Sequence, residues 1–156
     1  MKNLLVVLVI VFGFVSCTDS KEYEQRLSEA INRLSAVEKH ASRIADQTNL
    51  YLDNAIDGRE DSESSKIAKE ICVISSESAE KVVDSLDADI SFLKERRADD
   101  SSFDDFVSLY TETKAYLDAV RTTKDKSAHD YRTDSRVKHE NVRNAIERFK
   151  LKYVHK

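Results

Sequence analysis

The sequence predicts an all-α fold: an elongated antiparallel bundle of three long helices packed in coiled-coil fashion, with a four-helix bundle as the alternative count. Three observations predict it. Beyond residue 16 the chain holds one glycine, Gly58, and no proline, the two residue types that most strongly interrupt helices. Charged residues make up 35% of the chain, a fraction that suits long helices with solvated faces and does not suit buried strands. The third observation is spacing. Tyr23, Leu27, Ala30, Leu34, Val37, Ala41, Ile44, Thr48, Tyr51 and Ala55 follow one another in alternating steps of four and three, the heptad seam of a coiled coil.

That seam defines the first helix, over about residues 19–57. Asp19 with Glu22 forms a capping-box pattern at its start, and Gly58 stands where a left-handed residue ends a helix. Its length is about 38 residues, or roughly 57 Å. Ile31, Leu52 and Ile56 widen the seam, so this helix should meet more than one neighbour. A seam this regular can close within one chain or between two copies, which leaves a homo-oligomer open.

The stretch GREDSESS, residues 58–65, reads as a loop. A second helix over about 64–97 follows, with Ile67, Ile71, Ile74, Ala79, Val82, Leu86, Ile90 and Leu93 as its apolar side. Ser75 and Ser78 interrupt that stripe. RRADDSS, residues 96–102, marks a turn, with Ser101–Asp104 or Ser102–Asp105 as caps for the next helix.

The last helix spans about 102–154. Phe103, Phe106, Val107, Tyr110, Leu117 and Val120 open its pattern, and Val137, Val142, Ala145, Ile146, Phe149 and Tyr153 resume it. Between them the pattern fades, so two helices joined near 123–134 are the alternative, where Ser127 with Asp130 offers a restart cap. With no glycine or proline to force it, a continuous or kinked helix is the expected form.

The N-terminal segment stands apart. Met1-Lys2-Asn3 precedes twelve almost purely apolar residues, Leu4–Val15. That length fits the core of an export signal and falls short of the ~20 residues a membrane span needs. The predicted organisation is therefore a signal peptide over residues 1–16 and a single helical domain over 17–156.

Cysteine usage is sparse. Cys17 and Cys72 are the only two, so neither a disulfide framework nor a CxxC pair exists. Cys72, between Ile71 and Val73, reads as a small buried thiol. Phe14-Val15-Ser16-Cys17, following the apolar run, resembles the lipobox of bacterial lipoproteins. Small Ser16 and the polar Thr18-Asp19-Ser20 fit that pattern, and Phe14 stands where leucine is commonest. The resemblance covers residues 1–17. It implies cleavage before Cys17, diacylation of its sulfur by chains such as palmitate, and a membrane anchor on a cell or outer membrane. Two or three acyl chains hold a protein stably, at about 0.8 kcal/mol per buried methylene. The alternative is cleavage after Cys17 and secretion of a soluble binding protein, since Val15 and Cys17 are small enough for a general signal peptidase.

Catalytic and metal chemistry are not encoded in any motif. The residues three before His40, His129, His139 and His155 are Val37, Lys126, Arg136 and Lys152, so the Glu-x-x-His pairs of di-iron bundles are missing. Asp125 with His129 makes two ligands and no site. There is no HExxH, CxxCH, GxSxG or glycine-rich phosphate loop. The four histidines are expected on solvated surface, and the chain is expected to be no enzyme and to hold no cofactor or metal.

Charge is uneven. Residues 19–118 hold 24 acids and 13 bases, and residues 119–156 hold 5 acids and 11 bases. Either the basic end lies against the chain's own acidic helices, or Arg136, Lys138, Arg143, Arg148, Lys150 and Lys152 form a patch for an anionic partner. Phospholipid headgroups, an envelope polymer or an acidic protein would serve. Nucleic acid is not expected from an exported chain with a pI of about 5.6. The terminal Lys156 on a helical heptad chain is similar to Braun-type lipoproteins, whose last lysine is crosslinked to peptidoglycan; that likeness implies a wall attachment. An envelope spacer or tether is the structural alternative to a binding module. A ligand carrier would need a polar core cavity lined by tyrosines such as Tyr23, Tyr51 and Tyr110.

Overall fold

The computed structural model describes residues 2–56, 63–97, 101–122 and 127–154; side chains are described for residues 20–52 and for the later helices except 63–65, 68, 69, 71, 97 and 154. The elements are α1 (Lys2–Ile56), α2 (Glu63–Asp84), α3 (Asp87–Arg97), α4 (Ser101–Arg121), α5 (Ala128–Phe149) and a closing π-helical turn, Lys150–Val154. No strand occurs among the described residues. The chain is an all-α helical bundle.

The heptad seam of α1 is the centre of the core. Tyr23, Leu27, Ala30, Leu34, Val37, Ala41, Ile44 and Thr48 are all buried, and α1 touches every other helix. Each leucine-sized side chain withdrawn from water in this way contributes about 1.5–3 kcal/mol. Near its end the seam opens, with Tyr51 37% exposed. Ala55, Ile56 and Gly58 lie outside the described side chains. The widening residue Ile31 is buried as well, which is why one helix serves several neighbours. The chain's own helices cover this seam. At its other end α1 differs from expectation. It runs on through residues 2–18 instead of starting at an Asp19 cap; the apolar run before it contains no proline to stop a helix.

His40 reaches the Ser75 carbonyl at 3.1 Å and Arg33 reaches Asp89 at 2.9 Å, so α2 and α3 return antiparallel to α1. The expected single helix over 64–97 is interrupted at Ser85–Leu86. There the Leu86 amide takes the Val83 carbonyl three residues back, and the Ser85 hydroxyl takes the Val82 carbonyl at 2.7 Å. A serine competing for helix carbonyls beside Asp87 and Asp89, two acids suited to a new helix N-terminus, accounts for the restart. Asp89 is held between Arg26 and Arg33, and Arg26 also lies 4.2 Å over the Phe92 ring.

The apolar side assigned to this segment needs correction. Ala79, Leu86 and Leu93 are buried, but Ile74 is 67% exposed, and Ile67 and Val82 are exposed too. The packed line is Cys72, Ser76, Ala79, Val83, Leu86 and Leu93. Small Ser76 and Ala79 admit a close approach of the helices, and Ser76 satisfies its hydroxyl on the Val73 carbonyl at 2.8 Å.

The last segment is two helices, contrary to the expectation of continuity. Ser127 caps α5 with extended backbone (φ −65°, ψ 155°), accepting the Asp130 amide at 3.1 Å while its hydroxyl donates to the Asp130 carboxylate at 2.7 Å. The polar run before it offers nothing to bury, whereas a returning leg buries Tyr131, Val142, Ile146 and Phe149. Val137, counted with that stripe, is 47% exposed. Tyr23 meets Ser102 at 3.0 Å where α4 begins beside α1, and α5 runs back along α4 from the Tyr131–Val120 contact to Lys152–Asp105. The bundle therefore has four legs, not three, with α2 and α3 sharing one of them.

Candidate functional site

One position of α1 breaks the logic of its second apolar stripe. Ile31, Ala45 and Leu52 repeat every seven residues, and the member between the first two is Glu38, 7% exposed. A carboxylate this buried requires a partner. His139 of α5 supplies it, with Nε2 at 2.5 Å from Glu38 Oε1. The imidazole also stacks on Tyr116 of α4, ring centroids 5.4 Å apart and planes 13° from parallel. Three helices thus meet at Glu38, His139 and Tyr116. Burial raises the Tyr116 phenol well above its ordinary range, and the nearby Glu38 and Asp46 carboxylates push in the same direction. His139 was expected on solvated surface; packing of α5 against α1 and α4 places it half-buried instead. His40 and His129 are exposed, and His155 and Asp125 lie outside the described residues.

Above this contact, α1 and α5 flank an open groove of about 510 Å³. From α1 it takes Ser35, Glu38, Lys39, Ser42 and Arg43, which recur at helical spacing on one face. From α5 it takes His139, Arg143, Ile146 and Glu147, and from the π-helical turn that follows, Lys150. Four permanent cations, Lys39, Arg43, Arg143 and Lys150, face two carboxylates, Glu38 and Glu147. Glu38 is engaged by His139. Glu147 pairs along its own helix with Arg143 at 3.4 Å, both side chains more than half exposed, an arrangement that contributes only a few tenths of a kcal/mol. Lys150 Nζ donates to the Ser35 hydroxyl at 3.4 Å. Lys39 and Arg43 have no acidic partner among the described residues.

The six basic residues singled out on the C-terminal segment do not form one patch. Arg143 and Lys150 line the groove toward α1. Arg148 and Lys152 turn to α4, where with Asp105 and Glu112 they flank a second depression of about 360 Å³. There Lys152 Nζ donates to Asp105 at 2.8 Å, as does the Tyr153 hydroxyl at 2.6 Å. These two donors hold the Asp105 carboxyl below its usual range, Lys152 first, and the same pairing raises Lys152. Lys138 lies 4.0 Å from Asp134 on its own helix, and Arg136 is exposed. Part of the basic segment is thus spent on the chain's own acids, and part is left over the α1 groove. Sequence reasoning missed Lys39 and Arg43 because they lie in the acidic portion of the chain. The one available signal was Glu38 at a stripe position that apolar residues otherwise fill.

Cys72 is a second buried polar centre. Val120 lies in the last turn of α4, where carbonyls lack intrahelical partners. Its carbonyl accepts the Cys72 thiol at 2.9 Å and the Tyr131 hydroxyl at 3.1 Å. Burial raises the Cys72 thiol and, more strongly, the Tyr131 phenol. The tyrosines expected to line a core cavity do not converge: Tyr23 bonds Ser102, Tyr110 bonds Asp87 at 3.1 Å, and Tyr51 is exposed.

Among the described residues no cluster of three or more histidine, cysteine or acidic side chains suits a metal ion. Nor is any helix among them long and apolar enough to cross a membrane. The Cys17 side chain and Lys156 lie outside the described residues. No protein-family model, curated protein or solved structure matches the chain.

Proposed function

We propose that this chain is an exported, lipid-anchored, non-catalytic protein of a bacterial envelope whose bundle binds an anionic partner along the α1/α5 face. The observation that carries the binding reading is the surplus of cations there. The bundle closes, uses Lys152 against Asp105, and still leaves Lys39 and Arg43 without acids among the described residues, beside Arg143 and Lys150. A passive spacer has no need of such a face. The exposed Ile67, Ile74 and Val82 on the α2 leg favour a partner-binding role in the same way.

The anchor rests on the lipobox-like residues Phe14-Val15-Ser16-Cys17. Its geometry is compatible with the fold, since Tyr23, the first buried seam residue, follows Cys17 by six positions along α1, about 9 Å. A lipid on that sulfur would hold the bundle close to the headgroups. Membrane fractionation of a Cys17→Ala variant in a bacterial host tests this reading: the variant should leave the membrane pellet. If the mature, signal-cleaved variant still partitions with membranes, the lipid anchor is wrong.

A further inference from the structure

We propose that the α1/α5 groove is a phosphate-binding site, taking a soluble phosphate-bearing ligand. Lys39 and Arg43 stand one helical turn apart on α1, and Arg143 of α5 and Lys150 of the closing turn line the opposite wall. Four cations on two walls suit an oxyanion with several charged oxygens, and arginines bind phosphate through two parallel N–H donors. The groove already contains hydroxyl donors, Ser35 and Ser42. Its volume of about 510 Å³ lies in the range of ligand sites and exceeds what a lone phosphate fills.

The floor is built to keep this charge balance. Glu38 is the one acid there withdrawn from solvent, and His139 occupies its oxygen at 2.5 Å while Tyr116 fixes the ring by stacking. One oxygen of that carboxylate is engaged by His139, and the four cations still outnumber the two acids of the groove. The other acid, Glu147, is exposed and paired with Arg143 at 3.4 Å, a pairing an incoming phosphate displaces at little cost.

The site stands on these residues alone; the choice of a soluble ligand over a membrane headgroup rests on the tether proposed above. Lys39 lies about 33 Å along α1 from Cys17, which puts the groove beyond the headgroup layer when α1 stands off the membrane that would hold the anchor.

Calorimetric titration of the full-length chain in neutral detergent with pyrophosphate, at matched ionic strength, tests the proposal. Saturable binding is expected, weakened at least tenfold in Lys39→Ala/Arg43→Ala, because a hydrogen bond to a charged group carries on the order of tenfold in affinity. Both side chains are exposed, so this variant keeps its core. Arg136→Ala, exposed on α5 away from the groove, should bind as the parent does. Unchanged affinity in the double variant, or equal loss in Arg136→Ala, overturns the site. Absence of pyrophosphate binding together with Lys39- and Arg43-dependent capture by phosphatidylglycerol vesicles overturns the soluble ligand. Cys17→Ala should retain full pyrophosphate affinity, so failure of the anchor and failure of the site are read separately.

Discussion

Glu38 and His139, 101 residues apart in the chain, meet at 2.5 Å and join the first helix of the bundle to the last. Glu38 is buried and His139 half-buried, so this contact is shielded from solvent far more than the ion pairs Lys138–Asp134 and Arg143–Glu147 along α5. Removing one member leaves the other without a partner, which is costly in a buried setting. Glu38→Ala and His139→Ala should each destabilise the bundle in urea, and the double-mutant cycle should return a coupling of about 1.5–3 kcal/mol. A coupling near zero would mean that the pair contributes no net attraction.

Alkaline pH should unfold the protein through its tyrosines. Burial favours the neutral phenol of Tyr116 and Tyr131 in the fold, raising both above the ordinary value. The sign follows directly. Unfolded tyrosines ionise near pH 10, while these two stay protonated when folded, so their contribution to stability is complete below about pH 10 and declines as pH rises beyond it. Absorbance at 295 nm should show at least two of the six tyrosines ionising together with loss of the helical circular-dichroism signal. Titration of all six near pH 10 with the helices intact would contradict the described packing.

Cys72 should behave as an inert thiol. Its burial and its bond to the Val120 carbonyl disfavour the thiolate, the reactive species. A disulfide reagent at pH 8 should label it slowly in the folded protein and promptly in urea. Cys72→Ala loses the bond to the end of α4 and leaves a small cavity, at a cost of about 1–3 kcal/mol. Prompt labelling of the folded protein would show that this end of the bundle opens readily.

The α1 seam was legible because apolar residues occupy nearly every position of a four-three repeat. The α2 seam was misread for the opposite reason. Ile74 drew the stripe to one side, while the packed line ran through Cys72 and Ser76. Buried hydroxyls explain the difference. Ser76, Thr113 and Ser135 each satisfy their hydroxyl on a carbonyl of their own helix, so they sit in the core at little cost while looking polar in sequence. The fourth leg was half legible: Ser127 and Asp130 marked the restart, but nothing local revealed that the chain reverses there. That reversal also builds the groove, since residues 35–43 meet residues 139–150 only when α5 returns alongside α1. Basic residues of the C-terminal segment could be named from composition; their division between α1 and α4 required the packing.

The most direct test of the proposed identity is the intact mass of the protein purified from bacterial membranes, with fragmentation of its N-terminal peptide. The account predicts a chain that begins at Cys17 and carries a diacylglyceryl group on its sulfur. A chain that begins at Thr18, or an unmodified Cys17, would contradict it.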